Sequence, residues 1–366
     1  MLEPAPSRVR QKRLLEKMQD AKLDAIVVAL PWHVYYFSAH FTSWLHQSAF
    51  VLFSDGRSWL ATANQPAKDK AADEVFSFEA QWNATLRQEQ PSVVAGLVVE
   101  FLKSRRAKRV GIDCSPTTAV VASILGSSVT PIDEILWQLR RAKDLDELAL
   151  MRKAIDASAA MFARARQIVE PGLPETQLFV ELQKAGVEAL GEPMTALLGN
   201  DFACGRGGGP PRKDRKAQAG EIYVIDLGPS FRGYFADTCR AICVGGEPTD
   251  AQSRAEKAVI DALAIVEKLA KPGARCRDLF AAVDEHFKST MNRPLVHHLG
   301  HGVGLQPHEF PHLNPRWDDV LMEGEVFACE PGVYGEDINW GIRIENNYVV
   351  TKTGVQNLLN SPMELV

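Results

Sequence analysis

Four carboxylates stand at repeated positions in the C-terminal part of the sequence, where their spacing could hold metal ions. Asp226 and Glu330 each end an apolar strand pattern and are each followed by one residue and a glycine, a shift of 104. Asp237 and Glu345 belong to the second strand pattern of each copy, a shift of 108. Each copy therefore carries two carboxylates that can face each other across a hairpin, turned at residues 228–233 in the first copy.

These carboxylates need compensation, because an ionised carboxylate in a strand that is apolar on both faces is costly without a cation or hydrogen bonds. Two copies related by an approximate two-fold axis would bring both pairs together, and four negative charges there require metal. The sequence thus predicts a dinuclear cation site. The alternative is a set of structural ion pairs with Arg240 and Arg343. The repetition of all four carboxylates favours metal.

The histidines are unevenly distributed and supply a second type of ligand. No histidine occurs between His46 and His286, yet five of the nine fall within 16 residues, namely His297, His298, His301, His308 and His312. A single histidine is more often a satisfied core residue than a ligand. These five lie among Gly300, Gly302 and Gly304, where the backbone can approach a ligand closely, and some of them are predicted to be site residues.

The elements that must position these residues fall into two predicted domains, an α/β domain over residues 1–143 and a second domain over residues 144–366. In the first, residues 49–63 predict a hairpin whose turn contains Asp55 and Gly56. In the second, apolar residues at helical spacing predict a long helix over residues 148–162.

The second domain also repeats its helices. Pro171 and Pro272, each followed by glycine, lie between helical patterns at a shift of 101. Because the shifts in helices and strands nearly agree, the sequence predicts an α+β domain with an internal pseudo-two-fold duplication.

Composition excludes several classes of function. The 366 residues include 41 Lys and Arg against 46 Asp and Glu, and a net charge of −5 provides no field for binding nucleic acid or an anionic membrane. The apolar stretches at residues 25–30 and 119–125 are far shorter than the roughly 20 residues that span a bilayer. The N-terminus has no signal-peptide pattern, which predicts a cytoplasmic protein with reduced cysteines.

The motifs together resemble the pita-bread metallopeptidases, a group that includes Xaa-Pro dipeptidase (prolidase), aminopeptidase P and methionine aminopeptidase. Asp226 and Asp237 lie in Ile-Asp-Leu-Gly-x-x-x-x-Gly-Tyr-x-x-Asp, and His301 lies in Gly-His-Gly-x-Gly. Glu330 lies in Phe-x-x-Glu-Pro-Gly-x-Tyr, and Glu345 lies in Gly-x-Arg-x-Glu. Any one of these pieces is weak, but the order Asp, Asp, His, Glu, Glu is specific.

The resemblance covers nearly the whole chain. Residues 13–18, 23–28 and 35–37 resemble the creatinase-type N-terminal domain, which favours the prolidase and aminopeptidase P branch over methionine aminopeptidase. Relatives of this type are commonly homodimers, and the resemblance therefore implies a homodimer.

The resemblance implies a ligand set for two divalent metals, with Asp237 and Glu345 as bridges. Oxygen-rich ligation with one imidazole suits manganese, iron, cobalt or zinc, and the residue types do not decide among them. The implied ligands are Asp226, Asp237, His301, Glu330 and Glu345.

The resemblance also implies catalytic roles. The metals would activate a shared hydroxide that attacks the scissile carbonyl, and Glu330 would be the base that takes its proton. His308 would donate to the tetrahedral intermediate, and His297 would line the substrate pocket, with a packing role as the alternative. Tyr334 and Arg343 match positions that hydrogen-bond to Asp226 and orient it.

The chain departs from the family pattern at two positions. The family's peptidases have a histidine 17 residues before the first aspartate ligand, near the scissile bond, and here that position is Gly209. The threonine two residues after the second aspartate is replaced by Cys239, while the arginine that follows is kept as Arg240. The glycine-rich segment 205–209 lacks the Gly-Lys-Ser/Thr ending of a phosphate-binding loop, and we expect it to form a flexible edge of the site.

Two function hypotheses follow. The first is metal-dependent hydrolysis of the amide bond before proline in short peptides, by a dipeptidase or an aminopeptidase. The second is a metal-dependent hydrolase or lyase of the same family that acts on a non-peptide small molecule, because the upstream histidine is missing. A third, non-enzymatic binding role is disfavoured, because binding relatives generally lose the ligands that this chain keeps.

Overall fold

The computed structural model describes residues 1–196 and 201–365, and the chain divides into two compact units, Met1–Arg140 and Arg141–Val366. The division lies three residues before the boundary that the sequence suggests at Lys143. Each unit has its own hydrophobic core. None of the described helices is both long and apolar enough to cross a membrane.

The first unit is built on a mixed sheet with helices. The helices are α1 (Pro4–Asp20), α2 (Pro31–Ser38), α3 (Gln90–Ser104), α4 (Pro116–Leu125) and α5 (Asp133–Arg141), with a 3₁₀ turn at Gly126–Ser128. The strands are β1 (Ala25–Val28), β2 (Ala49–Phe53), β3 (Ser58–Ala63), β4 (Glu74–Phe78), β5 (Gln81–Trp82), β6 (Thr85–Leu86), β7 (Val110–Ile112) and β8 (Val129–Pro131). Six of them form the main sheet, in the order β4-β3-β2-β1-β7-β8.

The predicted hairpin in this unit is confirmed, because β2 and β3 pair in antiparallel register. The Phe53 N–H donates to the Arg57 carbonyl at 2.9 Å, and Gly56 has φ +87°, a conformation that favours glycine. Both strands are buried almost throughout, and Val51 and Trp59 belong to the core that also contains residues of α3.

The second unit contains helix pairs and antiparallel sheets. Its helices are α6 (Leu145–Ile168), α7 (Glu175–Leu190), α8 (Asp250–Leu269) and α9 (Cys276–Met291), with a 3₁₀ turn at Glu336–Ile338. The strands of its first half are β9 (Phe202–Cys204), β10 (Ile222–Leu227), β11 (Ser230–Phe231), β12 (Tyr234–Phe235) and β13 (Thr238–Cys243). Those of its second half are β14 (Gly300–Gly302), β15 (Glu309–Leu313), β16 (Val326–Cys329), β17 (Gly332–Gly335), β18 (Trp340–Arg343), β19 (Asn346–Val350) and β20 (Val355–Asn357).

The internal duplication is visible in this unit. A helix pair precedes each sheet, and each sheet contains a long antiparallel pair, β10 with β13 and β16 with β19. A small hairpin sits between the long strands in each half, β11 with β12 and β17 with β18. Isolated bridges recur as well, joining Pro174 to Lys216 and Arg275 to Val320. The polypeptide thus repeats its topology where the sequence repeats its spacing.

The two halves meet where the carboxylates are. The Glu345 N–H donates to the Cys239 carbonyl at 3.0 Å, and the Cys239 N–H donates to the Glu345 carbonyl at 3.3 Å. This bridge joins the start of β13 to the residue just before β19, and it brings the carboxylate-bearing segments of both halves side by side.

Gly300 is packed tightly against the neighbouring backbone near this junction. A β-carbon at this position would lie 2.0 Å from the Ala328 carbonyl oxygen, because β14 crosses β16 in direct backbone contact. Only a residue without a side chain allows this approach.

We therefore predict that Gly300→Ala lowers the free energy of unfolding by about 3 kcal/mol, because the strand must separate from β16 to admit a methyl group. Urea unfolding of the metal-free protein measures the change. Gly354→Ala in the same unit is the matched control, since only one atom lies within 4 Å of its β-carbon position, at 4.0 Å. An equal effect of both substitutions would contradict the packing argument.

Candidate metal centre

The strand register brings the four repeated carboxylates together. Asp226 pairs with Cys239 across β10 and β13, and Asp237 lies two residues before Cys239, on the same face of the sheet. Carboxylate oxygens of Asp226, Asp237 and Glu345 lie within 4.8 Å of one another. All three side chains are buried. Three of the five predicted ligands, contributed by both repeats, are thus close together.

His301 and Glu330 complete the predicted set of five. The Nε2 atom of His301 lies 3.7 Å from an oxygen of Asp237 and 3.5 Å from Oε1 of Glu330. Asp237 therefore lies close both to the other two carboxylates and to His301. Every ligand that the resemblance implies is in one cluster, although their roles as ligands stay a prediction.

The hydrogen bonds of His301 leave its lone pair facing these acids. Its Nδ1 lies 3.0 Å from the Gly302 carbonyl, which can only accept, and Nδ1 must therefore carry the proton. Burial lowers the pKa of His301 to about 4, which keeps the ring neutral. A bare nitrogen then points at two carboxylates with no hydrogen to donate, an arrangement that a cation would stabilise.

The carboxylates of Asp237 and Glu345 are buried among other acids, which opposes their ionisation. Burial raises the pKa of Asp237 and of Glu345 well above the ordinary value, and the neighbouring acids add to the shift. Oε2 of Glu345 is buried and has no hydrogen-bond partner among the described residues. An unpartnered carboxylate oxygen beside two other acids fits a divalent metal, and the donor set of oxygen with imidazole suits one.

Glu330 differs from the other acids because histidine compensates it. Burial alone would raise its pKa, but the hydrogen bond from His298 and the electrostatic interactions with His298, His301 and His297 together outweigh burial and bring the pKa to about 2. His298 Nε2 lies 2.9 Å from Oε1 of Glu330. Glu330 is therefore ionised at neutral pH, as a proton acceptor must be.

Arg343 contacts the cluster from the Asp226 side. Its guanidinium donates to Asp226 at 2.5 Å and also to Asp201. The ion-pair alternative is thus correct for Arg343. Arg240 instead donates to main-chain carbonyls and to the side chain of Asn346. It holds the junction between the halves together and neutralises no carboxylate of the cluster.

A directed chain of hydrogen bonds continues from Arg343. Its Nη1 donates to the Tyr334 hydroxyl at 3.1 Å, and that oxygen lies 3.0 Å from Nε2 of His297. Nδ1 of His297 lies 2.7 Å from the His298 carbonyl and must donate to it, which makes Nε2 the acceptor for Tyr334. Tyr334 thus reaches Asp226 through Arg343. Both nitrogens of His297 are used within the protein, which favours the packing alternative over substrate contact.

His308 lies directly on the predicted histidine ligand. Its ring stacks on His301 with centroids 3.6 Å apart and planes 10° apart, and the His308 residue is exposed.

The residues that follow His308 make contacts of their own. Glu309 accepts from the buried Lys143 at 3.4 Å. The fifth histidine of the run, His312, instead pairs with Asp319 at 3.0 Å and lies outside the cluster.

Asp201 is a site residue that the sequence analysis missed. Its carboxylate accepts from Arg343 and from the Gly209 N–H, and its carbonyl accepts from the Asp226 N–H at 2.8 Å. Asp201 therefore ties the glycine-rich segment to the carboxylate cluster. No strand pattern or repeat marks this residue in the sequence, since it lies in a connection and has no counterpart carboxylate in the second half.

The two departures from the family pattern lie close to this cluster. Cys239 is buried, and burial raises the pKa of its thiol well above the ordinary value, which makes it a neutral group beneath the carboxylates. Gly209 has φ +117°, and a β-carbon there would lie 3.5 Å from the guanidinium carbon of Arg206. The exposed Arg206 side chain therefore lies within van der Waals contact of position 209.

In the metal-free protein at pH 7, we predict that Glu345→Gln raises the free energy of unfolding by about 1 kcal/mol, because it removes an uncompensated buried charge. An acid whose pKa is raised by folding destabilises the fold as pH rises above its unfolded value, 4.5 for Glu345. The gain should therefore be larger at pH 8 than at pH 5. Urea unfolding in the presence of a chelator measures both.

The matched control is Glu175→Gln. Burial would raise the pKa of Glu175, but the side chain and backbone N–H of Arg212 lower it, and neutralising this acid should destabilise the fold. A loss of stability in both variants would show that Glu345 is compensated by the protein itself. With divalent metal present, Glu345→Gln should reverse its sign and weaken metal binding.

Comparison with known proteins agrees with this architecture. Residues 149–352 match the model of metallopeptidase family M24, and residues 10–142 match the creatinase/prolidase N-terminal domain. The chain is 27% identical over 369 residues to the Xaa-Pro dipeptidase of Pyrococcus furiosus, covering 98% of this chain and 99% of that protein. It is 31% identical over 258 residues to the probable dipeptidase PepE of Mycobacterium tuberculosis, covering 67% and 66%.

Solved structures show the same fold. The Xaa-Pro dipeptidase from Bacillus anthracis superposes with a TM-score of 0.84 at 22% identity, covering 98% of this chain and 99% of that one. The prolidase from Pyrococcus horikoshii superposes with a TM-score of 0.79 at 23% identity, with the same coverage. The predicted pita-bread fold with a creatinase-type N-terminal domain is confirmed. The chain belongs to metallopeptidase family M24.

Proposed function

We propose that this protein hydrolyses the amide bond before proline in short peptides, as an Xaa-Pro dipeptidase or Xaa-Pro aminopeptidase with two divalent metals. The observation that carries the proposal is the convergence of the five predicted ligands, Asp226, Asp237, His301, Glu330 and Glu345, in one buried cluster, in which Oε2 of Glu345 has no hydrogen-bond partner among the described residues. The names of the relatives support the peptide substrate, and the donor set supports manganese, iron, cobalt or zinc.

The metals, when bound, would activate water as a nucleophile and stabilise negative charge on the scissile carbonyl oxygen. The protein's own part begins with Glu330, whose ionised carboxylate can accept the proton of the attacking water. His308 is exposed beside His301 and can reach a substrate oxygen as a donor. Arg343 holds Asp226 in place, and Tyr334 and His297 hold Arg343.

We predict that the protein loaded with Mn²⁺ or Co²⁺ cleaves Xaa-Pro dipeptides or Xaa-Pro-Xaa tripeptides faster than peptides of equal length without proline. Glu330→Gln should lower kcat about a thousandfold, because the amide cannot take up a proton at neutral pH. Glu323→Gln, the same change on an exposed residue, is the matched control. Steady-state kinetics with each peptide class measure both. The absence of any Xaa-Pro hydrolysis by the metal-loaded protein would overturn the proposal.

Gly209 favours a second candidate function, in which the same centre acts as a hydrolase or lyase on a non-peptide small molecule. The family's peptidases carry a histidine at this position, and here the adjacent space holds the Arg206 guanidinium. A guanidinium binds carboxylate and phosphate groups rather than shuttling protons at neutral pH. The substrate-handling side of the site therefore differs in chemistry from that of the histidine-bearing peptidases.

Comparing Gly209→His with Gly209→Ala separates the two functions. Both variants bear the same backbone strain at φ +117°, and their difference isolates the imidazole. If the protein is an Xaa-Pro peptidase that lacks only the imidazole, we predict that Gly209→His is at least tenfold more active on Xaa-Pro dipeptides than Gly209→Ala. The second function would be favoured if Gly209→His and Gly209→Ala had equal activity on peptides and the wild-type protein cleaved small amides but no peptides.

A further inference from the structure

His298 has no role in the reaction outlined above, yet it makes a close contact with the predicted base. Its Nε2 lies 2.9 Å from Oε1 of Glu330, and the same oxygen lies 3.5 Å from Nε2 of His301. Two imidazole nitrogens therefore flank one carboxylate oxygen. The His298 side chain is 29% exposed, less than a freely solvated surface histidine, and it is held in this position by its neighbours.

The backbone explains why this side chain reaches the cluster. The Glu330 N–H donates to the Leu299 carbonyl at 2.9 Å, which fixes the residue next to His298 against the start of the Glu330 segment. Gly300 then passes in direct contact with Ala328 and leaves no room for a side chain between them. Because of this tight crossing, His298 and His301 are both brought to Glu330 from one short segment.

The imidazole rings are also aligned with one another. The rings of His298 and His301 lie 5.3 Å apart at 25°, and those of His298 and His308 lie 5.8 Å apart at 15°. Ligand atoms of His298, His301 and Glu330 all lie within 4.8 Å of one another. This is a second group of potential ligands in the cluster, which differs from the carboxylate group by having two nitrogens.

We propose that His298 is a further metal ligand, which releases its Nε2 proton when metal binds, binds through Nε2 to the metal held by His301 and Glu330 and shifts the preference of that site. The inference rests on the ligand set proposed above. A second imidazole favours the metals that prefer nitrogen, such as Co²⁺ and Zn²⁺, over Mn²⁺, which prefers carboxylate and water. The substitution of one residue should therefore change which metal is bound, as well as how tightly.

The test is metal binding to the apo protein by isothermal titration calorimetry, with Co²⁺ and Mn²⁺ alone as the probes. His298→Ala should weaken Co²⁺ binding at least tenfold and Mn²⁺ binding less than threefold, because nitrogen ligation contributes more to the first. The visible absorption of the Co²⁺-loaded protein should also change, since that spectrum depends on the donor atoms. Neither readout depends on enzymatic activity.

His312→Ala is the matched control, because His312 belongs to the same run but pairs with Asp319 outside the cluster. It should leave both affinities and the spectrum unchanged. His298→Gln keeps a hydrogen-bond donor for Glu330 and should lose Co²⁺ preference as His298→Ala does. Thermal unfolding of each apo variant establishes that it is folded, and the partial exposure of His298 makes both substitutions tolerable.

Three outcomes would overturn the inference. The first is that His298→Ala binds both metals as tightly as the wild type. The second is that His298→Ala loses the same affinity for both metals, and the third is that His298→Gln keeps the wild-type preference for Co²⁺. Either of the last two would make His298 a positioning residue for Glu330. If the wild-type protein binds neither metal, the proposed function fails as well. If it binds both and His298→Ala behaves as wild type, only this inference fails.

Discussion

Buried negative charge that the protein does not neutralise is the constraint on which the rest of this structure depends. Asp237 and Glu345 lie at the junction between two repeated halves, where burial and neighbouring acids oppose their ionisation. The lone pair of His301 points at the same place, because its Nδ1 proton is committed to the Gly302 carbonyl. Cations bound among these groups would stabilise the ionised form of the fold, and metal binding and folding would thereby be coupled.

Around this centre, the outer contacts keep the predicted ligands in fixed orientations. Arg343 joins Asp226 to Asp201, and through Tyr334 it also joins them to His297. The direction of each hydrogen bond in this chain follows from the guanidinium at one end and the carbonyl at the other. Such contacts set the geometry of a metal site as much as its ligands do.

The duplication gives a physical reason for much of what could be predicted. A strand that is apolar on both faces and ends in a carboxylate is rare, and two copies at nearly one shift indicate a shared centre; Asp226 and Glu330 could be found in this way. Asp201 could not, because it lies in an irregular connection without a repeat. His298 was visible as one of five clustered histidines, but its contact with Glu330 depends on how closely Gly300 crosses β16.

By itself, the sequence determined the two-domain organisation, the doubled second domain and the identity of the five converging residues, because strand periodicity and repeat spacing are local properties of the chain. Only the tertiary structure decided which partners compensate which charges. It assigned Arg343 to Asp226 and Arg240 to main-chain carbonyls, although both arginines follow similar strand patterns. Compensation depends on distances between segments more than 100 residues apart, and no spacing along the chain encodes those distances.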